Sequence, residues 1–582
     1  MPWPRKPRHP RHGDGGVAAS GGVTHTSDMS AFATAFGREI EPWIDTDPQR
    51  RGGARGRAAA ATANPLASWA ALRMLRAGGS AVDAAVAAQA VLTVVEPNAS
   101  GIGGGAVILV HDGDAMLCLD GVARAPARVT ARLATDFDGR TVPSERAMYG
   151  GRTVGVPGAL MALQSAHRRF GRLAWADLFA PAIELARDGH PLSPYLWRAL
   201  HENPAVRDTP FARAQYCDSG AVWAPGSVLR NPALAASLAA IAEGGAAALH
   251  EGPLAEAIVR AVADDPFSGT LTMADLAGYQ PVERKPLRFP LGSMTVLAGP
   301  LPAYGALAAA QIIAFAARHG IATLGMNPGT DEIHVLAEAG RLAMTDRWPY
   351  ADPDFAPADV ALLLDPAYLD SRAALLDPSR RSDRFPRGRG RELGASMTSH
   401  LCVADARGQV VSMTTTINQN FGSRIAVGGF WLNNMMTNFA NDPVLRGRSG
   451  REWHDPNAMA PAKRARTTIA PVIVLDAAGR PLAALGAGGG YRIIGYVANA
   501  LLRLAGGARE PQALLDAPHA MNWNGITELE PELEAHIRPL AARGHWVHVR
   551  RMDGGTQCLV LDGGEVRAAG DRRRDGAGMA LR

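Results

Sequence analysis

Two hydrophobic patterns meet near residue 397. Before it, apolar residues recur mostly at three- and four-residue intervals, which is typical of helices packed on a core. After it, polar and apolar residues alternate or form short apolar runs, which is typical of strands. The runs fall at 398–405, 409–418, 430–432, 469–476 and 481–486. The pattern predicts an α+β protein in which a helix-rich segment precedes a strand-rich one.

Two helices are predicted where the periodic pattern begins. Asn64 is a suitable N-cap and Pro65 suits the first helical position. The Gly78-Gly79 pair ends that helix, and Ser80 with Asp83 has the spacing of a capping box for the next one. The second helix, AVDAAVAAQAVLTVV, is apolar and small on nearly every face. We therefore expect it to be buried and closely packed.

The glycine-rich stretch after these helices resembles a nucleotide-binding loop by letters alone. Gly101, Gly103 and Ala106 match the dinucleotide fingerprint. That fingerprint requires a strand, then the glycines, then a helix, whereas here a helix precedes the glycines and the strand AVILV follows them. The order argues against a dinucleotide oxidoreductase and predicts a tight passage of the backbone.

A β-hairpin is predicted over 398–418. Asp405-Ala406-Arg407-Gly408 has the composition of a hairpin loop with glycine in the left-handed position. If Asp405 and Gln409 close the loop, Thr398 lies opposite Thr416, and hydroxyl residues collect on one face of both strands. A solvent-exposed threonine-rich face and a reactive site are both consistent with this pattern.

Composition and charge remove several classes of function. The chain has 582 residues, of which 47% are hydrophobic and 20% charged, with a net charge of +5. Part of the excess lies in a basic N-terminal tail, 1–55, which we expect to be disordered rather than to bind nucleic acid. The four cysteines lack C-x-x-C spacing and no P-loop motif is present, so no metal or other cofactor is expected.

The same sequence predicts a cytoplasmic protein that does not contact membranes. No run of eighteen apolar residues is present, and residues 17–36 lack the apolar core of a secretory signal.

Several long blocks of the chain resemble a known family. They extend from Asn64 to the C-terminus and include residues 64–106, VGVPGALMAL, TSHLCVADARGQVVSMTTTIN, LNN, GAGGGYRII and GDRRRDGAG. The sequence resembles the γ-glutamyltransferases, or glutathione hydrolases, and their acylase relatives among the N-terminal-nucleophile hydrolases.

The resemblance implies an αββα four-layer sandwich made from one self-cleaving precursor. Cleavage between Met397 and Thr398 would separate a large chain, 56–397 after the tail, from a small chain, 398–582, and the two would form a heterodimer.

The resemblance also implies roles for individual residues. Thr398 matches the nucleophile, Thr416 the threonine that orients it, and Asn418 a substrate contact. Gly489 and Gly490 match the pair whose amides bind an oxyanion. The chemistry is coherent because cleavage would free an α-amine with an ordinary pKa of about 7.7–8, close to the working pH of a general base attached to the nucleophile itself.

The positions that grip a γ-glutamyl group depart from the family pattern. Val122 stands where an arginine holds the α-carboxylate, and Arg124 two residues later is a candidate substitute. Asn438 replaces an aspartate that binds the α-amine, and Met435 replaces a polar residue. Thr467-Thr468 keeps the hydroxyls of a serine pair.

Loss of a charged partner weakens recognition of an amino-acid head. We therefore predict an amidohydrolase or acylase acting on a small acid-bearing acyl group, such as an oxamate or glutaryl amide. The alternatives are a γ-glutamyltransferase or glutathione hydrolase, and an inactive binding homologue. Residues 440–463 are either a lid over the site or a surface loop.

Overall fold

The computed structural model describes residues 53–113, 115–129, 146–383, 397–440, 443–446 and 452–582. Predictions for most of the basic tail, for residues 384–396 before the cleavage site, and for residues 441–442 and 447–451 of the possible lid lie outside these ranges.

The predicted hairpin lies at the centre of a seven-stranded sheet, called here the hairpin sheet. Its central strands are buried along their whole length, because the helix Ala81–Val95 packs on one face of these strands and a second sheet packs on the other. In spatial order the strands are Ala577–Leu581, Ala58–Thr62, Ser399–Ala404, Val410–Thr416, Gly105–Asp112, Ala115–Gly121 and Val282–Glu283.

A second seven-stranded sheet, called here the glycine-loop sheet, contains the strand that leads into Gly488–Gly490. Like the hairpin sheet, it combines strands from both sides of residue 397. In spatial order the strands are Ala54–Gly56, Glu565–Gly570, Thr556–Asp562, Pro481–Ala487, Val472–Leu475, Met294–Ala298 and Leu287–Leu291.

The two sheets pack against each other through small and branched apolar side chains. Alternate residues of a strand point to opposite faces, so Ile473 and Leu475 join a cluster with Val107 and Leu109 of the hairpin sheet. Val472 and Val474 point the other way, into a larger cluster formed with helices. Each residue of Val472–Leu475 is buried for this reason.

Helices contact both sheets. Pro65–Arg76, Ala81–Val95 and Ala159–Phe170 lie against the hairpin sheet, and Gly305–Arg318, Thr330–Thr345, Arg492–Ala505 and Pro511–Asp516 belong to the cluster beside the glycine-loop sheet. The first two have the predicted caps, since Asn64 accepts from Leu66 N–H and Ser80 forms a capping box with Asp83. Every residue of Ala81–Val95 is buried, as predicted.

Shorter elements complete the described chain. The remaining α-helices are Ala180–Asp188, Pro194–His201, Pro204–Arg207, Pro210–Tyr216, Pro232–Gly244, Ala247–His250, Gly252–Asp264, Met273–Ala277, Val360–Leu363, Pro366–Ala373 and Ile537–Ala542. The 3₁₀ turns are Arg146–Met148, Gly151–Thr153, Trp175–Phe179, Met435–Asn438 and Pro531–His536. Small sheets pair His190–Pro191 with Val228–Leu229, Cys217–Asp218 with Ala221–Val222, Ala426–Val427 with Phe430–Trp431, Val444–Arg446 with Glu452–His454, and Ala520–Asn522 with Thr527–Leu529 and Val547–Val549.

The boundary expected for the N-terminal tail is wrong in detail. Residues 54 and 55 of the predicted tail belong to an edge strand, Ala54–Gly56, that pairs with Glu565–Gly570. The alanine run Ala58–Thr62 is a buried strand between Ala577–Leu581 and Ser399–Ala404. The ordered chain therefore begins before Asn64. Pairing with the partner strands, and not local propensity, fixes the structure of this segment.

Among the described residues, no single helix is long and apolar enough to cross a membrane. Two helices joined at a 119° bend, Pro232–Gly244 and Ala247–Asp264, pass that test only as a pair, by length and composition.

Candidate active site

The hairpin has the predicted register. Ser399 pairs with Thr415 and Ala404 with Val410, so the next position brings Thr398 opposite Thr416. Asp405 accepts from the backbone N–H of Arg407 at 2.9 Å and of Gln409 at 3.0 Å. Gly408 has φ +91°, the left-handed conformation that favours glycine. The loop thus fixes which hydroxyls face one another.

Three neighbouring oxygens form the centre of the site. Thr398 Oγ1 donates to Thr416 Oγ1 at 3.2 Å, and Thr416 Oγ1 donates to the Met397 carbonyl at 2.8 Å. The Asn418 N–H also donates to Thr416 Oγ1, at 2.8 Å. The Thr416 hydroxyl therefore donates one hydrogen bond and accepts two, which is the most that a hydroxyl group can form. It connects the predicted nucleophile to the carbonyl of the peptide bond that precedes it.

The hydroxyl-rich face is buried, so the solvent-exposed interpretation of the pattern is wrong. Thr398 and Thr416 are each 2% exposed, and Ser412 and Thr414 are inaccessible. The facing glycine-loop sheet excludes water, and Ser412 donates to the Leu485 carbonyl of that sheet at 3.3 Å. A buried hydroxyl needs a partner, which explains why these side chains bond to each other.

Met397 is held on both sides of its peptide bond. Its N–H donates to the Asn418 carbonyl at 2.8 Å, and its sulfur accepts from the Tyr195 hydroxyl at 2.8 Å. Arg574 donates to the Thr398 carbonyl at 2.9 Å and contacts the Met397 sulfur at 3.4 Å. The Met397-Thr398 bond is therefore fixed by groups from before and after residue 397 in the sequence.

A buried carboxyl lies next to this bond. Glu96 Oε2 accepts from the Ser399 hydroxyl at 2.5 Å, and the Glu96 side chain is inaccessible to solvent. Burial raises the pKa of Glu96 to about 7, while Arg574 and the Ser399 hydrogen bond act in the opposite direction. Near neutral pH this carboxyl exists in both protonation states.

His400, two residues after Thr398 on the same face, does not serve as a base for it. Its ring nitrogens lie 2.9 Å from Thr414 Oγ1 and 3.0 Å from Cys402 Sγ. Burial lowers the pKa of His400 to about 3, so the imidazole is neutral at physiological pH. Its partners indicate a structural role within the sheet.

The loop Gly488–Gly490, called here the glycine loop, lies directly against Thr398. A Cβ on Gly488 would be 2.0 Å from the Thr398 carbonyl oxygen. Gly489 and Gly490 have φ +115° and +63°, and the helix Arg492–Ala505 begins two residues later. In the described part of the chain, neither the Gly489 nor the Gly490 N–H donates to a protein acceptor. Both amides are thus available to a ligand, and their role as oxyanion donors stays a prediction.

The GIGGG stretch is the tight backbone passage predicted from its context. A Cβ on Gly104 would meet the Thr416 carbonyl oxygen at 2.2 Å, and one on Gly103 would meet the Trp431 carbonyl oxygen at 2.4 Å. The strand Gly105–Asp112 then pairs with Val410–Thr416. These glycines allow the chain to lie against the second threonine of the site.

Asn418 connects the hairpin to the turn Met435–Asn438. Its side-chain amide donates to Thr437 Oγ1 at 2.9 Å and to the Asn434 carbonyl at 3.2 Å, and its φ of +81° is a conformation that asparagine tolerates. The structure thus brings Asn418 into contact with the segment that contains Met435 and Asn438.

The positions that hold a γ-glutamyl group in the family pattern are largely apolar in this protein. Val122 and Met435 are both inaccessible and belong to one hydrophobic cluster. Asn438 is half-buried, and in the described ranges its side chain forms no hydrogen bond. No acidic side chain occupies any of these three positions.

Thr467 and Thr468 lie beside the segment that leads into Gly305–Arg318. Thr467 exchanges backbone hydrogen bonds with Pro302 and Tyr304, at 2.9 and 2.8 Å. A Cβ on Gly305 would meet the Thr468 carbonyl at 2.0 Å.

Arg124 contacts a different part of the chain from the hydroxyl residues of the site. It donates to the Gly278 carbonyl at 3.1 Å and to the Asp275 carbonyl at 3.4 Å, and its guanidinium lies 5.4 Å from the Tyr279 ring centre. No contact in the described chain joins it to Thr398, Thr416 or Asn418.

Sequence reasoning missed several residues around the scissile bond. Arg574 lies in the terminal GDRRRDGAG block, and Glu96 ends the buried helix. Both are ionisable residues in segments that are otherwise closely packed, and this is the feature of the sequence that could have drawn attention to them. Their partners Thr398 and Ser399 are far away in sequence, so the pairing could not be read from spacing.

The sequence agrees with a family model over nearly all of the described chain. The model for gamma-glutamyltranspeptidase matches residues 67–581. The chain belongs to the γ-glutamyltranspeptidase family.

Relatives in this family include acylases and glutathione hydrolases. The chain is 35% identical over 535 residues to the acylase ACY 1 proenzyme of Pseudomonas sp. strain SE83, covering 89% of this chain and 93% of that protein. It is 30% identical over 526 residues to the glutathione hydrolase proenzyme of Pseudomonas aeruginosa, covering 88% and 92%. The crystal structure of cephalosporin acylase from Bacillus halodurans superimposes with a TM-score of 0.78 at 28% identity, covering 91% and 96%. The chain is thus an enzyme of this hydrolase and acyltransferase family, with relatives made as proenzymes.

Proposed function

We propose that the chain cleaves itself between Met397 and Thr398 and then uses Thr398 to hydrolyse an amide of a small acid-bearing acyl group. The αββα sandwich is part of this proposal, supported by two mutually packed sheets that each contact helices. The observation that carries the proposal is the Thr416 hydroxyl, which bonds both Thr398 Oγ1 and the Met397 carbonyl.

Self-cleavage begins with attack of Thr398 Oγ1 on the Met397 carbonyl carbon. The Thr416 hydroxyl polarises that carbonyl and stabilises the developing oxyanion. The C–N bond then breaks, the proton from Oγ1 goes to the freed nitrogen, and Met397 is left as an ester on Thr398. Water hydrolyses the ester, which restores the hydroxyl and leaves an α-amine at Thr398.

Both fragments stay together in this proposal. Each seven-stranded sheet contains strands from before and after residue 397, and Arg574 holds the Thr398 carbonyl. Separation would expose the central strands of both sheets, so large and small chains form one folded heterodimer.

The same residues then act on an external amide. The α-amine of Thr398 removes the proton from Oγ1, which attacks the substrate carbonyl. The Gly489 and Gly490 amides stabilise the oxyanion, and the proton passes to the leaving amine. An acyl-ester on Thr398 remains, and water or an acceptor amine releases the acyl group.

An acyl group without an α-amine is favoured over a γ-glutamyl group. The buried Val122 and Met435 offer neither charge nor hydrogen bond, and Asn438 has no carboxylate for an ammonium group. The 35% identical acylase relative supports the same choice. Glutathione hydrolysis is the second candidate, supported by the glutathione hydrolase relative and by the hydroxyls of Thr467 and Thr468.

Denaturing electrophoresis with N-terminal sequencing tests the mechanism. We expect two bands, the smaller beginning at Thr398, whereas Thr398→Ala should remain one band. Thr398→Ser, which keeps the hydroxyl, should still cleave. An active preparation with a continuous chain at Met397-Thr398 would refute the mechanism.

The substrate choice is tested separately on the cleaved enzyme. Ammonia release from oxamate and glutaramate is compared with nitroaniline release from a γ-glutamyl nitroanilide. Faster turnover of the γ-glutamyl compound would favour the second candidate.

A further inference from the structure

Within the described residues, two half-buried arginines near the glycine loop lack a carboxylate partner. Arg347 follows the helix Thr330–Thr345, and Arg466 directly precedes Thr467. Throughout the described ranges, neither guanidinium forms an ion pair with an Asp or Glu. The adjacent carboxylate, Asp346, is bound to Arg372 instead.

Both arginines lie close enough to Tyr304 to act on the pKa of its hydroxyl. Burial raises the pKa of Tyr304 to about 12, Tyr491 acts in the same direction, and the guanidinium groups of Arg347 and Arg466 oppose them. The Arg347 guanidinium lies 5.5 Å from the Tyr491 ring centre. Tyr304 is therefore neutral, and no negative charge in this group balances the two cations. Half-buried cations without a counter-charge are costly unless an anion joins them.

This group, Arg347, Arg466, Tyr304 and Tyr491, is joined to the active site by short segments of backbone. Tyr491 directly follows Gly490, and Gly488 touches the Thr398 carbonyl. The Tyr304 N–H donates to the Thr467 carbonyl at 2.8 Å, which places Tyr304 beside the residue that follows Arg466.

Aromatic side chains surround the group and reach the surface. Trp348, next to Arg347, is 38% exposed and lies edge-on to Trp453, which is 40% exposed, with ring centres 6.2 Å apart. Trp523 stacks on Tyr491 with ring centres 5.4 Å apart and an angle of 10°. The group therefore lies close to solvent, where a ligand can enter.

We propose that Arg347 and Arg466, with the hydroxyls of Tyr304 and Tyr491, bind the free carboxylate of the acyl group while its amide carbonyl lies at Thr398. This inference rests on the proposed function. Two guanidinium groups match a carboxylate in charge and in donor geometry, and the tyrosine hydroxyls supply further donors.

The position of the group favours a longer acyl chain. Gly488 contacts the Thr398 carbonyl, and Tyr491 lies three residues further along the chain. In oxamate the carboxylate is bonded directly to the reacting carbonyl carbon, which gives it the shortest reach from Thr398. A glutaryl group carries its carboxylate three methylenes away. We therefore expect kcat/KM for glutaramate to exceed that for oxamate by at least about tenfold, the effect of one added charged hydrogen bond.

Arg466→Gln tests the site with a matched pair of substrates, glutaramate and its neutral methyl ester. We expect kcat/KM for glutaramate to fall about 30- to 100-fold, because charged hydrogen bonds are lost, and kcat/KM for the ester to change less than about threefold. Arg466→Lys should recover part of the loss. Arg480→Gln, which removes an exposed arginine in a turn, is the control. Completion of self-cleavage checks that each variant folds, and Arg347→Gln provides an independent second variant.

Calorimetric titration of glutarate gives a readout that does not need turnover. We expect the parent protein to bind glutarate and Arg466→Gln to bind it at least tenfold more weakly. The inference would be overturned by any of three results. These are an equal loss of kcat/KM on both substrates, glutarate binding that is insensitive to Arg466→Gln, and an effect confined to the KM of an acceptor amine. If the parent binds glutarate in an Arg466-dependent manner but hydrolyses no amide, the proposed function fails and the anion site stands.

Discussion

Glu96→Gln is the substitution whose effect on stability can be worked out most fully from the structure. Glu96 ends the buried helix and accepts from Ser399, the residue after the proposed nucleophile. Glutamine has nearly the same shape and can accept the same hydrogen bond, but it cannot ionise. The comparison therefore isolates the cost of the buried charge.

The expected magnitude follows from the pKa of Glu96, which burial raises from 4.5 to about 7 in the folded chain. That difference corresponds to about 3 kcal/mol. Below the ordinary pKa, both folded and unfolded chains bind the proton and stability is unaffected. As pH rises towards 7, the unfolded chain releases its proton first, so unfolding is favoured. Above that pH the full loss persists in the parent and is absent from Glu96→Gln.

Thermal unfolding between about pH 4.5 and pH 8 measures this difference. The Thr398→Ala background keeps every sample as a continuous chain under the proposed mechanism. For 582 residues an unfolding entropy of about 1.2 kcal/mol/K is expected, so 3 kcal/mol corresponds to about 3 °C in Tm. We expect Glu96→Gln to gain this much relative to the parent as pH rises.

Glu256→Gln, at an exposed position on the helix Gly252–Asp264, is the matched control and should follow the parent at every pH. A constant difference between Glu96→Gln and the parent across this range would refute the reasoning. A relative loss of stability at high pH would mean instead that Glu96 is ionised and held by Arg574.

Two further substitutions test the geometry around the scissile bond. Thr416→Val keeps the side-chain shape but removes the donor to the Met397 carbonyl, so a gel time course should show self-cleavage slowed by about 10²- to 10³-fold. Thr416→Ser, which keeps the hydroxyl, should cleave at a rate much closer to that of the parent. Unchanged cleavage in Thr416→Val would contradict the assigned role. Gly488→Ala places a Cβ 2.0 Å from the Thr398 carbonyl oxygen, so soluble yield and cleavage should both fall sharply. Gly325→Ala, with no atom within 4 Å of its Cβ, should behave as the parent, and an equally normal Gly488→Ala would show that the loop can move away.

Local sequence was sufficient wherever short-range rules fix the structure. The caps at Asn64 and Ser80 and the turn at Gly408 are confirmed, because each depends on residues within a few positions. The hairpin register followed from the same turn, since closing the loop at Asp405 leaves only one way to pair Thr398 with the opposite strand.

The same reasoning failed for strands that pair with segments far away in the sequence. No element is predicted for Ala58–Thr62, because alanine has little preference for strands, yet the segment lies between two strands from the second half of the chain. Strands such as Thr556–Asp562 and Ala577–Leu581 were likewise not predicted. Their edges are covered by partners hundreds of residues away, and no local pattern records that.

The sequence alone determined the hairpin that sets Thr398 against Thr416, the glycines that permit close backbone contacts, and membership of a hydrolase family. Only the tertiary structure decided that the hydroxyl face is buried, that Glu96 and Arg574 lie beside Met397-Thr398, and that Arg347 and Arg466 both lie near Tyr304. The physical reason is that backbone turns and caps are fixed by neighbours in sequence, whereas burial and charge depend on whichever distant segments pack against a side chain.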